Sequence, residues 1–145
     1  MYVSERGGVA QLFTYDFGTN AETQLTSSTV ADGAPVVSPD GQSVAYVRDG
    51  KELRTLDRAS KQERTLAKGY LSRSPRAVAW SPDSRWIAYI GVTTQTFRNI
   101  FAVPAAGGDS RPLTAMPNGS ANNVWLKRII SRMCRSFFNM KIQTR

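Results

Sequence analysis

The chain has 145 residues, a hydrophobic fraction of 41% and a formal net charge of +8. This length is enough to bury a hydrophobic core, and no apolar run is long enough to predict a membrane-spanning helix. The chain contains no histidine and one cysteine. Ser-His-Asp and Cys-His catalytic sites, histidine-containing zinc sites and an internal disulfide are therefore excluded.

Residues 1–26 are predicted to form the later strands of a repeat unit whose first strand is missing. Tyr2-Val3 is predicted to end one strand, and Gly7-Gly8 to form the turn that follows. Leu12–Tyr15 and Glu22–Leu25 then have the apolar and β-branched composition of two further strands.

A small, polar connector at residues 27–33 leads to a complete four-stranded unit at residues 34–67. Its first two strands are joined by Ser38-Pro39-Asp40-Gly41. Proline sets the backbone for the second position of a turn, aspartate bonds the nearby backbone, and glycine takes a positive φ at little cost. The triplet returns 43 positions later as Ser81-Pro82-Asp83. A fixed period near 40 residues indicates a repeat architecture.

A second complete unit, residues 76–114, follows a connector at residues 68–75. Ser84 stands where the first unit has its turn glycine, so a left-handed backbone at this position would cost about 1 kcal/mol. The second strands of the two units, Val44–Val47 and Trp86–Ile90, are apolar at nearly every position. This composition predicts that both faces of each sheet are covered.

A constant spacing supports the division into four strands. The third strand of each unit ends near Tyr15, Leu56 or Val103, and a leucine follows ten residues later in every case, at the positions Leu25, Leu66 and Leu113. The loops that precede the third strand vary in length, so this spacing is an independent sign of the repeat.

The repeat stops near the end of the chain. A connector at residues 115–121 leads to Asn122–Trp125, which is predicted to begin a further unit. Residues 126–145 hold six of the 19 basic residues and none of the 11 acidic ones, so residues 1–125 are nearly neutral. Apolar residues of this tail recur at helical spacing: Leu126, Ile129, Ile130, Met133, Cys134, Phe137 and Phe138.

Two interpretations of the tail stay open. In the first interpretation, the tail forms a basic amphipathic helix that contacts an anionic membrane or an acidic partner. Alternatively, the native repeat is lost at residue 126 through truncation or a change of reading frame.

No residue pattern predicts chemistry. Ser81 and Asp83 are predicted as turn residues, as are Gly7-Gly8 and Gly107-Gly108, which lack the spacing of a phosphate loop. Asn118-Gly119-Ser120 fits a glycosylation site but favours a turn. Aromatic residues at strand positions are predicted to pack in the core: Tyr46, Tyr89, Trp80, Trp86 and Trp125. No catalytic, metal-binding or cofactor-binding residue and no cofactor is predicted, Cys134 is assigned to the apolar stripe, and binding residues are not identified.

The order of Ser38-Pro39-Asp40-Gly41, a strand, and then Gly107-Gly108-Asp109 before Leu113-Thr114 resembles the propeller repeats of the TolB family. Similar repeats occur in the propellers of tricorn-type peptidases and of prolyl and dipeptidyl oligopeptidases. The resemblance covers about residues 1–125 and implies an all-β fold, an open arc of four-stranded β-propeller blades, with a possible C-terminal helix. The implied divisions are a partial blade at 1–26, blades at 34–67 and 76–114, the start of a further blade at 122–125 and a basic tail at 126–145.

The resemblance implies two alternative functions. One is a non-catalytic module that binds a protein or peptide, similar to TolB of the bacterial envelope, which implies a periplasmic location and partners such as a peptidoglycan-associated lipoprotein. The other is the propeller segment of a tricorn-like or oligopeptidase-like serine peptidase, gating substrate to a catalytic domain outside this chain.

Both functions share further expectations. The segment itself is expected to have no enzymatic activity and, being nearly neutral, to bind no nucleic acid. Membrane contact is expected only through the tail. Because repeats need neighbours to cover their faces, further blades of a longer parent chain are expected as partners.

Overall fold

A computed structural model describes residues 1–74, 76–92 and 97–114. These residues form twelve strands: β1 (Tyr2–Arg6), β2 (Val9–Asp16), β3 (Ala21–Gln24), β4 (Asp32–Val37), β5 (Ser43–Arg48), β6 (Glu52–Asp57), β7 (Glu63–Lys68), β8 (Tyr70–Leu71), β9 (Val78–Trp80), β10 (Trp86–Val92), β11 (Arg98–Pro104) and β12 (Arg111–Pro112). Across these ranges, no helix has the length and apolar character needed to cross a membrane.

Several predictions from the sequence fall outside the described residues. They are the connector at 115–121, the start of a further blade at 122–125 with Trp125, the turn at Asn118, and the basic tail at 126–145 with Cys134 and its possible helix.

The strands form three antiparallel sheets, each of which is one propeller blade. Blade 1 has the order β1-β2-β3, and blade 2 the order β4-β5-β6-β7. Blade 3 has the order β12-β11-β10, and both β8 and β9 pair with the remaining edge of β10. Consecutive strands are neighbours because short hairpin connections join antiparallel strands. The predicted all-β fold, an unclosed arc of propeller blades, is confirmed.

The boundaries of the connectors differ from those predicted. The segment 68–75 is not purely a connector, because Tyr70 and Leu71 pair with β10 as a short strand. Strand β4 begins at Asp32, two residues before the predicted start of the blade. A bulge between Gly33 and Val36 interrupts its pairing with β5. The pattern of apolar residues could not show that pairing extends beyond this bulge.

The core lies between the blades, and β5 contributes to it on both faces. Ala45 and Val47 pack in a cluster with residues of blade 3, whereas Val44 and Tyr46 pack with Leu12 of blade 1. Each of the four β5 residues is at most 1% exposed. The prediction that both faces of this strand are covered is therefore confirmed.

The Ser-Pro-Asp triplet of blade 2 forms a closed turn. The hydroxyl of Ser38 donates a hydrogen bond to Oδ1 of Asp40 at 2.5 Å and accepts one from the backbone N–H of Ser43 at 2.9 Å. The N–H of Gly41 donates to the carbonyl oxygen of Ser38 at 2.8 Å. The side chains of Ser38 and Asp40 thus stabilise the turn itself.

Blade 3 repeats this turn. Ser81 donates to Asp83 at 2.6 Å and accepts from the N–H of Trp86 at 2.9 Å. Ser84 has a φ of 58°, in the left-handed region that the glycine of the first copy also occupies, and its hydroxyl accepts a hydrogen bond from the N–H of Asp40 at 3.2 Å. The predicted turn role of both triplets is confirmed, and this last bond links the two turns across the blades.

We expect the substitution Ser38→Ala to raise the pKa of the Asp40 carboxyl and to destabilise the fold. Hydrogen bonds from the Ser38 hydroxyl, and then from the N–H of Gln42, hold the pKa of Asp40 below its ordinary value. The partly buried N–H of Ser43 also loses its acceptor, which costs about 1 kcal/mol. Carboxyl NMR titration measures the first effect and chemical unfolding the second.

The pH dependence of stability tests the same turn. Because the folded pKa of Asp40 is lowered, its contribution is complete above the unfolded pKa of about 4 and is lost as the pH falls through the folded value. The Ser38→Ala variant should therefore lose less stability than the parent on acidification. Asp83 serves as an internal control, since its pKa should stay low. An unchanged titration of Asp40 would contradict this prediction.

Candidate functional site

The blades have two rims that differ in their loops. Because successive strands run in opposite directions, the connectors between blades lie on the same rim as the turn between the second and third strands of blade 2. We call this the connector rim; it includes residues 27–31, 49–51, 69–74 and 76–77. The Ser-Pro-Asp turns lie on the opposite rim, the corner rim.

The turn between β5 and β6 is tight. Asp49 and Gly50 have φ values of 53° and 67°, and the N–H of Lys51 donates to the carbonyl oxygen of Arg48 at 2.9 Å. Two consecutive positive φ values are typical of a type I′ hairpin turn, which favours the pair Asp-Gly. The sequence around residues 48–51 therefore determines this turn locally.

Connectors on both sides hydrogen-bond to this turn. The N–H of Asp49 donates to the carbonyl oxygen of Ala31 at 2.8 Å. On the other side, the N–H of Leu71 donates to Gly50 at 2.7 Å, and that of Gly69 donates to Lys51 at 2.8 Å. The turn therefore fixes the position of the connector that leads into blade 3.

A threonine and an amide hold the connector-rim end of blades 1 and 3. Thr26 accepts a hydrogen bond from the N–H of Leu12 at 3.0 Å and donates one to the amide oxygen of Gln11 at 3.1 Å. Thr114 makes the corresponding bonds in blade 3, where its hydroxyl donates to Asn99 at 3.1 Å. We call this arrangement the threonine–amide clasp.

Blade 2 lacks the clasp at the same repeat positions. Ala67 replaces the threonine and Glu52 replaces the amide. A carboxylate oxygen of Glu52 instead lies 3.5 Å from Nζ of Lys68, and the other lies 3.9 Å from Nε of Arg54. Blades 1 and 3 thus have a hydrogen-bonded threonine and amide at these positions, whereas blade 2 has an alanine and a charged glutamate.

A groove opens where the clasp is absent. It has a volume of about 350 Å³ and is lined by Lys51, Glu52, Lys68, Gly69 and Tyr70. The side chains of the two lysines are 64% and 75% exposed, and Tyr70 is 72% exposed. We call this the connector groove. It combines an exposed aromatic ring, a residue type enriched in protein interfaces, with two exposed lysines that attract groups of opposite charge.

Charged neighbours determine the electrostatics of the groove. The ammonium of Lys51 lies 2.8 Å from a carboxylate oxygen of Asp49. Their hydrogen bond and mutual attraction raise the pKa of Lys51 and lower the pKa of Asp49. Arg73 is also exposed, and its side chain lies 3.5 Å from the position of a Cβ atom on Gly50. The turn and the connector therefore bring three cationic side chains to this rim.

A partly buried ion network lies in blade 2 beside the turn. Nε of Arg48 donates to Asp32 at 2.8 Å, and its terminal nitrogens donate to Asp32 at 3.0 Å and to Glu63 at 2.8 Å. The side chain of Asp32 is fully buried, and that of Arg48 is 12% exposed. The hydrogen bond with Asp32 is the largest cause of the raised pKa of the Arg48 guanidinium.

Glu63 completes this network. Burial raises its pKa, but hydrogen bonding to Arg48 and the nearby charge of Arg54 outweigh burial and keep the pKa below its ordinary value. A terminal guanidinium nitrogen of Arg54 also lies 3.2 Å from a carboxylate oxygen of Glu63. The network joins β4, β5 and β7. Asp32 and Arg48 pair at the connector-rim end of the blade, whereas Glu63 is the first residue of β7, towards the corner rim.

The residues that the sequence predicted as turn or core residues lie away from the connector groove. Ser81 and Asp83 belong to the corner rim, and Tyr46, Tyr89 and Trp80 are at most 7% exposed, as predicted for core residues. Trp86 is half-buried, with the guanidinium carbon of Arg111 5.9 Å from its ring centre. Within the described ranges, no three His, Cys, Asp or Glu side chains are grouped as metal ligands.

Sequence reasoning missed the groove, although one signal was present. The motif Leu-Thr recurs at residues 25–26 and 113–114, but blade 2 has Leu66-Ala67. This departure from the repeat marks the blade in which the threonine–amide clasp is absent. Asp32 was missed because it was assigned to a polar connector.

Solved structures show which fold this is. The structure resembles the tricorn protease with a TM-score of 0.65 and 17% identity, over 81% of this chain and 12% of the protease. It resembles a putative TolB from Agrobacterium tumefaciens with a TM-score of 0.56 and 22% identity, over 71% of this chain and 38% of the other. The fold is that of β-propeller blades. An oligogalacturonate lyase from Vibrio parahaemolyticus is similar over 77% of this chain and 35% of its own, at a TM-score of 0.63 and 15% identity.

Sequence comparison gives the same repeat class. The chain is 29% identical over 105 residues to dipeptidyl-peptidase 5 from Trichophyton equinum, and the match covers 66% of this chain but 14% of the enzyme. The corresponding enzyme of Arthroderma benhamiae matches over the same shares. No protein-family model matches the sequence. The predicted resemblance to the propeller repeats of TolB and of peptidases is confirmed.

Proposed function

We propose that this β-propeller segment binds a protein or peptide at the connector groove and catalyses no reaction itself. The observation that carries the proposal is the departure of blade 2 from its neighbours. Where blades 1 and 3 close with the threonine–amide clasp, blade 2 presents Lys51, Lys68 and Tyr70 to solvent beside an open groove. Backbone hydrogen bonds from Gly69 and Leu71 tie the connector to the turn at Gly50 and Lys51, which reduces the backbone entropy lost on binding.

The residue inventory supports the proposal that this segment catalyses no reaction. The chain has no histidine, so a serine or cysteine nucleophile has no imidazole base. The carboxylates of Asp40 and Asp83 are occupied in hydrogen bonds of their own turns. Purified protein is expected to hydrolyse no member of a fluorogenic peptide library, and histidine-independent hydrolysis by the pure chain would contradict the proposal.

Binding is tested with a peptide array and one matched pair of variants. We expect the full chain to bind a subset of peptides, and Tyr70→Ala to weaken that binding about tenfold, as for an aromatic residue at the centre of an interface. Phe17→Ala is the control, because Phe17 is 87% exposed but lies on the corner rim. If no peptide binds, or if both variants bind equally well, the proposed function is wrong.

The match to the fungal dipeptidyl-peptidases favours a second candidate function. In it, the chain is the propeller segment of a serine peptidase, and the connector groove guides substrate towards a catalytic domain elsewhere in the parent protein. The coding sequence that continues the repeat separates the candidates. Further blades joined to a hydrolase domain select this function, and blades alone select the binding module, for which the TolB-like repeat implies a periplasmic location.

A further inference from the structure

The connector groove carries an excess of positive charge. Lys51 and Lys68 line it together with the carboxylate of Glu52, and the exposed side chain of Arg73 lies beside it against Gly50. Arg73 is close enough to contribute to the lowered pKa of Asp49. Each lysine ammonium has three donors, whereas Lys51 forms one short contact here and Lys68 approaches its carboxylate only at 3.5 Å. Donors therefore remain for a ligand.

Two further features shape the groove for an extended chain. Gly69 has a φ of 141°, a backbone conformation that is essentially restricted to glycine, and a Cβ atom added to it would meet nothing within 4 Å. Its missing side chain lets another main chain approach closely. Beside it, Tyr70 presents an aromatic face that can pack against one apolar side chain of the ligand.

We propose that the connector groove binds an extended acidic peptide segment, in which aspartate or glutamate side chains meet Lys51, Lys68 and Arg73 while one apolar or aromatic side chain packs on Tyr70. This inference rests on the proposed function and adds the chemistry of the partner. Charge complementarity supplies the selectivity and the rate of association, and the tyrosine supplies the contact area.

The experiment uses the full chain and three fluorescent ten-residue probes. The acidic probe contains four glutamates and one tryptophan, the second probe has glutamines in place of the glutamates, and the third is a single-stranded oligonucleotide of ten thymidines. We expect the acidic peptide to bind at least about tenfold more tightly than its glutamine counterpart, and its affinity to fall as the salt concentration rises.

Two double variants with the same net charge locate the site. The double variant Lys68→Glu with Arg73→Glu should bind the acidic peptide at least about tenfold more weakly than the parent chain. Lys61→Glu with Arg85→Glu, on the corner rim, should leave its affinity within about twofold, because those side chains are remote from the groove. Circular dichroism of both double variants checks that the strands are retained.

The outcomes separate this inference from the function on which it rests. Equal binding of the acidic and glutamine peptides, equal weakening by the two double variants, or tighter binding of the oligonucleotide overturns the acidic-peptide inference. If peptides of other composition still bind and depend on Tyr70, the proposed function stands. If the array shows no peptide binding at all, both fail.

Discussion

The substitution Arg48→Met is expected to lower the free energy of unfolding by about 3–5 kcal/mol, one of the two largest effects that we predict for a single side chain. Arg48 donates two hydrogen bonds to Asp32, whose side chain is fully buried. Methionine keeps much of the volume of arginine but leaves the carboxylate of Asp32 buried without its cation. Chemical unfolding, monitored by tryptophan fluorescence, measures the loss.

A double-mutant cycle distinguishes a lost ion pair from lost packing. In the pair Arg48→Met with Asp32→Leu, no buried charge is left uncompensated, so we expect the double variant to regain at least half of the stability lost in Arg48→Met. Arg85→Met on the corner rim is the control and should change stability by less than about 0.5 kcal/mol. If the double variant is no more stable than Arg48→Met, the stabilising role of this ion pair is disproved.

The substitution Trp80→Ala is expected to cost about 3–5 kcal/mol, because it removes a large side chain from the core between blades 2 and 3. Trp80 is 7% exposed, and its indole N–H donates to the carbonyl oxygen of Val36, in the neighbouring blade, at 2.9 Å. The change leaves both a cavity and a carbonyl group without its donor. Loss of cooperativity in thermal unfolding should accompany the lower stability, because this core joins the two blades.

The substitution Trp80→Phe separates the cost of the cavity from the cost of the lost hydrogen bond. It keeps an aromatic ring in the core but cannot donate to Val36, so we expect a smaller cost of about 1–2 kcal/mol. Phe17→Ala, at an aromatic ring that is 87% exposed, should have almost no effect. A cost for Trp80→Ala no greater than that for Phe17→Ala would contradict the assignment of Trp80 to the inter-blade core.

Much of the fold could be predicted because its signals are local and repeated. Ser38-Pro39-Asp40-Gly41 and Ser81-Pro82-Asp83 form the same turn in two blades, since each carries its own hydrogen-bonding partners within a few residues. The apolar second strands also predicted correctly that β5 is covered on both faces. These features depend on neighbouring residues and on short, continuous runs of apolar residues.

The connector groove could not be predicted in this way, because it depends on residues that are distant in sequence. Lys51 and Tyr70 come together only after Leu71 and Gly69 hydrogen-bond to the turn at Gly50 and Lys51. Asp32 gave no sign of burial in the sequence, since a polar residue in a polar segment is normally exposed. Its pairing with Arg48 became visible only in the register of β4 against β5.

The amino-acid sequence by itself determined that the chain repeats a four-stranded hairpin unit, because turn chemistry and apolar runs are properties of short segments. It also determined that the chain contains no histidine. Only the tertiary structure decided how blade 2 departs from its neighbours in the shape and charge of its surface. Replacing a threonine and an amide with Ala67 and Glu52 changes little within one strand. The groove forms because β6, β7 and the connector to blade 3 bring these positions together, and side chains interact according to their distance in space.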